Sequence, residues 1–201
     1  QQKVSGMIKK DNSKENIQKI KTALTIIIVN WNNKKILQDC LESIYDTQIN
    51  YSYEIVVVDN NSQDGSVELI KNKFHEVILI ENNKNFGFAK ANNRAIKIAK
   101  TDYILLLNND TIITQNDCFS NMVRFMQKNP RVGALGCKLL YPDGTLQSVG
   151  GKYPSAWEIF KNQILFIKTL KRFGRNNKKD NIFKKVNCIS GACLLTRREV
   201  F

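Results

Sequence analysis

The chain has 201 residues, 42% of them hydrophobic, which is enough for one α/β domain with a real core and too little for two large ones. Its formal charge of +13, from 31 lysines and arginines against 18 acids, favours an anionic partner such as a nucleotide, a nucleic acid or a lipid surface. An AT-rich genome also produces this excess of Asn, Ile and Lys, so charge alone selects none of the three, and no apolar run approaches the roughly 18 residues that a membrane span requires.

In chain order, residues 1–22 alternate in charge with few large apolar groups and read as a polar linker or tail, leaving 23–201 as the folded domain. Apolar, β-branched runs at Leu24–Asn30, Glu54–Asp59, Val77–Glu81 and Tyr103–Asn108 predict strands. Helical periodicity separates them at Lys34–Tyr45, Ser66–Phe74 and Phe88–Ala99. That alternation predicts an α/β fold, a mostly parallel sheet with helices on both faces. A fourth helix is expected at Cys118–Asn129, capped by Asn116 or Asp117. A strand at Val132–Leu140 then runs through Tyr141-Pro142-Asp143-Gly144 into a short strand at Thr145–Ser148, a β-hairpin added to the sheet. Further on, Ser155–Phe173 mixes apolar and basic residues at near-helical spacing, and the positive charge continues to Lys185. Two readings stay open for it: an in-plane helix on an anionic membrane surface through 155–185, or a helix that packs its apolar face on the sheet. The chain lacks an initial Met and stops at RREVF as a helix begins, so the C-terminal part of the domain is expected to be missing.

The apolar runs end abruptly in polar residues. TIIIVN and EIVVVDN read as strands buried on both faces that terminate in Asn30 and Asp59, and YILLLNND terminates in Asn108, Asn109 and Asp110. Ligands of open α/β sheets bind beyond the carboxyl ends of the strands, which is where these side chains fall, although turn and cap roles would also account for them. A carboxylate such as Asp110 beside a diphosphate suits a hard divalent ion that prefers oxygen ligands. In NFGFAKANNR, Asn85 and Gly87 precede a helix whose first turn carries Asn92 and Asn93. Free N–H groups at such a helix start attract phosphate, Gly87 lets the backbone come close, and Arg94 adds charge.

Other chemistries lack their motifs. There is no GxGxxG or GK[ST], and His75 is the only histidine, so a dinucleotide oxidoreductase, a P-loop NTPase and a zinc site are disfavoured. Cys40, Cys118, Cys137, Cys188 and Cys193 form no CxxC pair and lie mostly in apolar stretches, which fits a reducing, cytoplasmic compartment.

Taken in order, TIIIVNWN, EIVVVDNNSQDGS, NFGFAKANN, YILLLNND and ISGACLLTRR resemble the family 2 glycosyltransferases, particularly their rhamnosyltransferase-like bacterial branch, over Leu24 to Phe201. The resemblance implies a GT-A-type, Rossmann-like sheet. It also implies transfer of a sugar from a nucleoside-diphosphate sugar, of dTDP-rhamnose or UDP-sugar type, to the hydroxyl of a glycan or lipid-linked acceptor. The anomeric configuration would invert, and the product would belong to cell-surface polysaccharide. By the same likeness Asn30 and Asp59 contact the base and ribose, Asn85 and Asn93 line the nucleotide and phosphate region, and Ser190 and Gly191 leave space for the donor sugar. Asp110 takes Mn²⁺ or Mg²⁺, with Asn108 as the neutral first position of an N-x-D form of the family's D-x-D motif. The family's base comes from a carboxylate pair after the equivalent of Arg197-Arg198-Glu199, where this chain ends, so no base is assigned and the fragment alone is expected to be inactive. A sugar-phosphate nucleotidyltransferase is the alternative enzyme, but it needs a Gly-rich basic loop where this chain has WNNKK. Nucleic acid is not an expected partner, because acids at the sheet edge repel a phosphate backbone. The implied location is cytoplasmic, peripheral at the inner face of the membrane.

Overall fold

The structure, a computed structural model, describes residues 24–147, 150–151 and 185–201. The predicted tail at 1–22, the amphipathic stretch at 155–173 and residues 175–184 of its basic continuation lie outside these residues.

The elements follow as β1 (Leu24–Asn30), α1 (Lys34–Tyr45), β2 (Tyr53–Asp59), α2 (Ser66–Lys73), β3 (Ile78–Glu81), α3 (Gly87–Ile98), β4 (Tyr103–Asn108), α4 (Cys118–Lys128), β5 (Ala134–Gly136), β6 (Gly150–Gly151), β7 (Cys188–Ile189) and β8 (Cys193–Arg197). β3, β2, β1 and β4 are parallel neighbours in a six-stranded sheet of order β3-β2-β1-β4-β8-β5. The parallel strands are continuous runs of Ile, Val and Leu because both of their faces are covered. On one face, Leu37, Cys40, Leu41 and Ile44 of α1, Ile70 of α2 and Phe119, Met122, Val123 and Met126 of α4 pack on Ile26, Ile28, Val57 and Leu105. On the other, α3 lays Ala91, Ala95 and Ala99 against Ile27, Val56, Val58 and Ile104. Three alanines four residues apart keep that helix close to the sheet. Each fully buried Ile or Leu contributes roughly 1.5–3 kcal/mol, so these two layers supply most of the drive to fold.

The right-handedness of parallel crossovers explains the division of the helices. β1 to β2 to β3 steps outward in one direction with α1 and α2 on one face. The chain then returns past β1 to β4, which carries α3 to the opposite face.

Beyond β4 the structure departs from expectation in detail. The strand expected over Val132–Leu140 narrows to Ala134–Gly136, where a Cβ on Gly136 would lie 2.6 Å from Ile189 Cγ2. The hairpin does form, closed by a Leu140–Leu146 bridge, by Gln147 N–H to Leu139 O at 2.8 Å and by Tyr141 N–H to Thr145 O at 2.8 Å. The strand that lies beside β4, however, is β8, antiparallel both to β4 and to β5. Asp117 starts α4 in a left-handed conformation (φ 60°) without capping it, and its carboxylate accepts from Asn50 Nδ2 at 2.6 Å instead. The effective cap elsewhere is Asp64, which serves two helices: Oδ2 accepts Lys34 N–H of α1 at 2.7 Å and Oδ1 accepts Ser66 N–H of α2 at 3.1 Å.

Candidate functional site

Strand order reverses between β1 and β4, and such a switch point is where a crevice opens beyond the carboxyl ends of the strands. Asn30, Asp59 and Asn108 are the last residues of β1, β2 and β4, so all three fall at that edge. Asn30 is fully buried and ties the strand ends together. Its Nδ2 donates to Asp59 Oδ1 at 3.1 Å and to Ser62 Oγ at 3.2 Å, and its Oδ1 accepts from Asn109 Nδ2 at 2.9 Å. Asp59, 1% exposed, also accepts the Ser62 hydroxyl at 2.6 Å on Oδ1 and the Ser62 N–H at 2.7 Å on Oδ2. A buried carboxylate persists only when donors surround it, and the chain provides three.

The loops after β1 and β2 are clasped across this floor. Asn32 and Asn61 adopt positive φ (51° and 66°), which Asn tolerates better than most residues. Asn32 N–H donates to Ser62 Oγ at 2.9 Å, and Gln63 N–H donates to Asn32 Oδ1 at 2.7 Å. Trp31 stands exposed on the rim immediately after Asn30, a feature the apolar pattern did not single out.

At the start of α3, Asn85 Oδ1 accepts Gly87 N–H at 2.8 Å, and Gly87 has φ +76° with no atom within 4 Å of where a Cβ would stand. Behind it, buried Asn82 donates to Asn60 Oδ1 at 2.7 Å, and Arg94 donates to Asn82 Oδ1, so the positive charge near this helix is held by an amide. Neither Asn60 nor Asn82 stood out in a loop where Asn is common; their burial, at 2% and 4% exposure, is what distinguishes them. Because α3 begins at Gly87, Asn92 and Asn93 lie in its second turn rather than its first. Asn92 is buried and donates to Phe88 O at 2.9 Å, whereas Asn93 is exposed and takes no part in the hydrogen-bonded network at the strand ends.

The tip of β4 is held from two sides. Asn108 N–H donates to Ala192 O at 2.9 Å, which brings the Ser190–Ala192 turn before β8 beside β4. Ser190 Oγ accepts Ala192 N–H at 3.3 Å, and a Cβ on Gly191 would lie 3.8 Å from the Phe88 ring. From below, Cys40 Sγ–H donates to Asn108 O at 3.7 Å, and burial pushes this thiol up to about 12, so it stays protonated. Asp110 follows, exposed. Asn30, Asp59, Asn108 and Asp110 thus share one edge, the Ser190–Gly191 turn meets it through Asn108, and Asn85 and Gly87 join it through Asn60, whose Nδ2 lies 3.5 Å from Gly87 O. Asn93 stands apart on α3.

Among the described residues no three Cys, His, Asp or Glu side chains are grouped to hold a metal. An ion at Asp110 would therefore have to be shared with a ligand carrying its own oxygens, which suits Mg²⁺ or Mn²⁺ with a diphosphate. A cavity of about 600 Å³ lies at the opposite edge of the sheet, between the C-terminal ends of α1 and α2, lined by Tyr45, Lys73, Phe74 and His75 among others; it holds none of these strand-end groups. No helix among the described residues is long and apolar enough to cross a membrane.

The family model described as Glycosyl transferase family 2 matches residues 25–201. The poly(ribitol-phosphate) beta-glucosyltransferase of Bacillus spizizenii is 37% identical over 95 residues, which is 45% of this chain and 15% of that protein. The O-antigen biosynthesis protein RfbC of Myxococcus xanthus is 29% identical over 177 residues, 81% of this chain and 13% of that protein. Among solved structures, a mannosyltransferase from Pyrobaculum calidifontis in complex with GDP-Man and Mn²⁺ superposes with a TM-score of 0.54 at 26% identity, covering 60% of this chain and 36% of its own. The chain therefore spans well under half the length of each of these proteins.

Proposed function

The chain belongs to glycosyltransferase family 2, and from that premise we propose that it binds a nucleoside-diphosphate sugar at the carboxyl edge of β1, β2 and β4. The sugar is transferred to the hydroxyl of a glycan or lipid-linked acceptor, with inversion, in the building of a cell-surface polysaccharide. The observation that carries this reading is the Asn30 hub, which joins the ends of β1, β2 and β4 into one polar floor at the switch point. GDP-Man and Mn²⁺ on the Pyrobaculum mannosyltransferase, and the poly(ribitol-phosphate) glucosyltransferase and O-antigen biosynthesis roles named for the Bacillus and Myxococcus relatives, support it.

In this reading Asn30 and Asp59 meet the base and ribose, and Trp31 offers its exposed ring to the base. Asn85 shapes the Gly87 turn so that the α3 backbone can approach the phosphates, as free helix N-termini do. Ser190 and Gly191, opposite Phe88, leave room for the sugar. Asp110, with the oxygen of Asn108 beside it, is the group that would hold a divalent cation. When bound, Mn²⁺ or Mg²⁺ neutralises charge on the departing diphosphate. No residue of this chain is given the role of catalytic base, and Asn93 is assigned at most an outlying place on α3. Partnership with an anionic membrane surface through 155–185 belongs to the same proposal.

The test is the melting temperature of the chain with UDP, dTDP or GDP, each with and without Mn²⁺. A nucleotide at about 100 times its Kd adds about 2.7 kcal/mol, a rise of several degrees. At least one nucleotide should raise it more with Mn²⁺ than without, and Asp110→Ala should erase that extra rise. An Asp110→Ala protein that responds to Mn²⁺ as fully as the wild type removes Asp110 from the site.

A further inference from the structure

Asp110 sits on a turn that helix α1, a separate element of the core, holds at two points. Cys40 and Ser43 are three residues apart on α1, hence on one face of it, and that face lies against the Asn108–Ile113 segment. The Cys40 thiol donates to Asn108 O at 3.7 Å, with the Thr111 backbone amide beside its sulfur. Thr111 N–H also closes the turn on Asn108 O at 3.3 Å. Two residues later, Ile113 N–H donates to Ser43 Oγ at 3.1 Å, while the Ser43 hydroxyl donates to Cys40 O at 2.7 Å. The third restraint is the Asn109 side chain, which is spent on Asn30. Asn108, Asn109, Thr111 and Ile113 around Asp110 are therefore anchored, while the Asp110 side chain itself is exposed.

We propose that Cys40 and Ser43 are positioning residues: they hold the turn so that the Asp110 carboxylate is preorganised for a divalent cation and its diphosphate partner. The inference rests on the function proposed above and adds two residues on a helix that contributes no side chain to the crevice. A buried position on this face of α1 asks only for a small apolar side chain, yet a thiol stands there with its donor engaged by the turn. Partners that orient a metal-binding group typically change affinity by 10-fold to 100-fold when removed, so a large effect is expected from side chains that never touch the ion.

The experiment compares wild type, Cys40→Ala, Ser43→Ala and Ser43→Thr. Three quantities are read: amide hydrogen exchange at Thr111 and Ile113 in the absence of any ligand, Mn²⁺ affinity by electron paramagnetic resonance in the presence of whichever of UDP, dTDP and GDP binds the wild type best, and affinity for that nucleotide without metal. The alanine variants should exchange faster at Thr111 and Ile113 while β1 amides stay protected, and should weaken Mn²⁺ by about 10-fold with metal-free nucleotide affinity unchanged. Ser43→Thr keeps the hydroxyl and should behave as wild type. If Cys40→Ala does not fold, Ser43→Ala, at a half-buried position, carries the comparison alone. A wild type whose affinities for UDP, dTDP and GDP all ignore Mn²⁺ overturns both the function reading and this inference. A wild type that responds to Mn²⁺, alongside alanine variants that respond equally well, overturns this inference only. Equal losses with and without metal also overturn it, since they would mark general destabilisation.

Discussion

Asn109 donates its side-chain amide to the Oδ1 of Asn30 at 2.9 Å, joining the tip of β4 to the end of β1 across the point where strand order reverses. Because Asn30 spends its own amide on Asp59, three strand ends depend on a single buried side chain. Asn30→Ala strands the Asn109 amide and removes one donor from a buried carboxylate, at a cost of about 1–3 kcal/mol. Asn30→Asp should cost more, because it sets a second carboxylate against Asp59 in a water-poor site. Urea midpoints at neutral pH check both, and Asn30→Asp should recover toward Asn30→Ala as the pH is lowered and the pair is protonated.

Asp59 and Asp110 stand at the same sheet edge, but only Asp59 is tied into the buried hydrogen-bond network. Asp59→Ala leaves Ser62 and Asn30 donors unsatisfied in a buried site and should lower stability by about 1–3 kcal/mol. Asp110 is exposed and accepts no hydrogen bond from the buried network, so Asp110→Ala should change stability by less than about 0.5 kcal/mol. Chelation of divalent metal with EDTA should leave the melting temperature of the nucleotide-free chain unchanged while reducing the rise that nucleotide produces.

Asp64 gives the fold an acid-sensitive feature. Burial acts to raise its pKa, but hydrogen bonds from the Ser66 hydroxyl, the Lys34 N–H and the Ser66 N–H outweigh burial and hold the carboxyl below its usual 3.8. A group with a depressed folded pKa adds stability that is fully present above its unfolded pKa and is lost as pH falls through the folded one. Asn caps a helix about as well as Asp, so Asp64→Asn isolates the charge. The stability gap between wild type and Asp64→Asn should be constant above about pH 5 and shrink below about pH 4. Asp64→Ala, which uncaps α1 and α2 together, should cost about 1 kcal/mol per helix at neutral pH.

The parallel half of the sheet was legible because each of its strands is a short, fully apolar run that stops at a polar residue, and the same rule exposed Asn30, Asp59 and Asn108. The antiparallel half was not. β8 reads as CLLTR, with nothing in its pattern to say that it slots between β4 and β5, since pairing between strands distant in sequence leaves no local mark. The Val132–Leu140 run is apolar enough for a long strand, but only the segment with Gly136 approaches β8 closely enough to pair. Asn93 enters through the family likeness alone, and adjacent Asn92 and Asn93 cannot be told apart by composition. The face of α3 that lays Ala91 and Ala95 on the sheet takes Asn92 inward with it and leaves Asn93 in solvent. Cys40 and Ser43 read as ordinary positions on the buried face of an amphipathic helix, and only coordinates reveal what they hold.

Thiol reactivity should sort the cysteines by burial. Cys40 is fully buried, and Cys118 is pushed up first by its hydrogen bond with Cys137 and then by burial. For Cys137 the bond with Cys118 acts downward, yet the bond with Cys193 and burial prevail and leave it at about 12. Cys193 is 3% exposed, whereas Cys188 is exposed. Since the thiolate is the reactive form, a thiol reagent at pH 8 should label exposed Cys188 first, half-buried Cys118 and Cys137 more slowly, and buried Cys40 and Cys193 only at the rate of unfolding, as read by mass spectrometry of tryptic peptides. Fast labelling of Cys40 in the folded chain would contradict its burial under the Asp110 turn.

Gly87 separates what the fold needs from what a ligand needs. Its φ of +76° lies in the left-handed region, yet a Cβ there would have no atom within 4 Å, so the penalty of a side chain comes from the backbone and not from crowding. Gly87→Ala should cost about 1 kcal/mol for that reason. Asn adopts the left-handed conformation far more readily, so Gly87→Asn should restore most of the lost stability. If the open space above Gly87 is the approach to a diphosphate, the two substitutions will diverge when nucleotide is added. Gly87→Asn, with the larger side chain, should then show the smaller nucleotide-dependent rise in melting temperature despite being the more stable protein on its own. A Gly87→Asn chain that binds nucleotide and Mn²⁺ as well as the wild type would mean that the open space belongs to the turn alone.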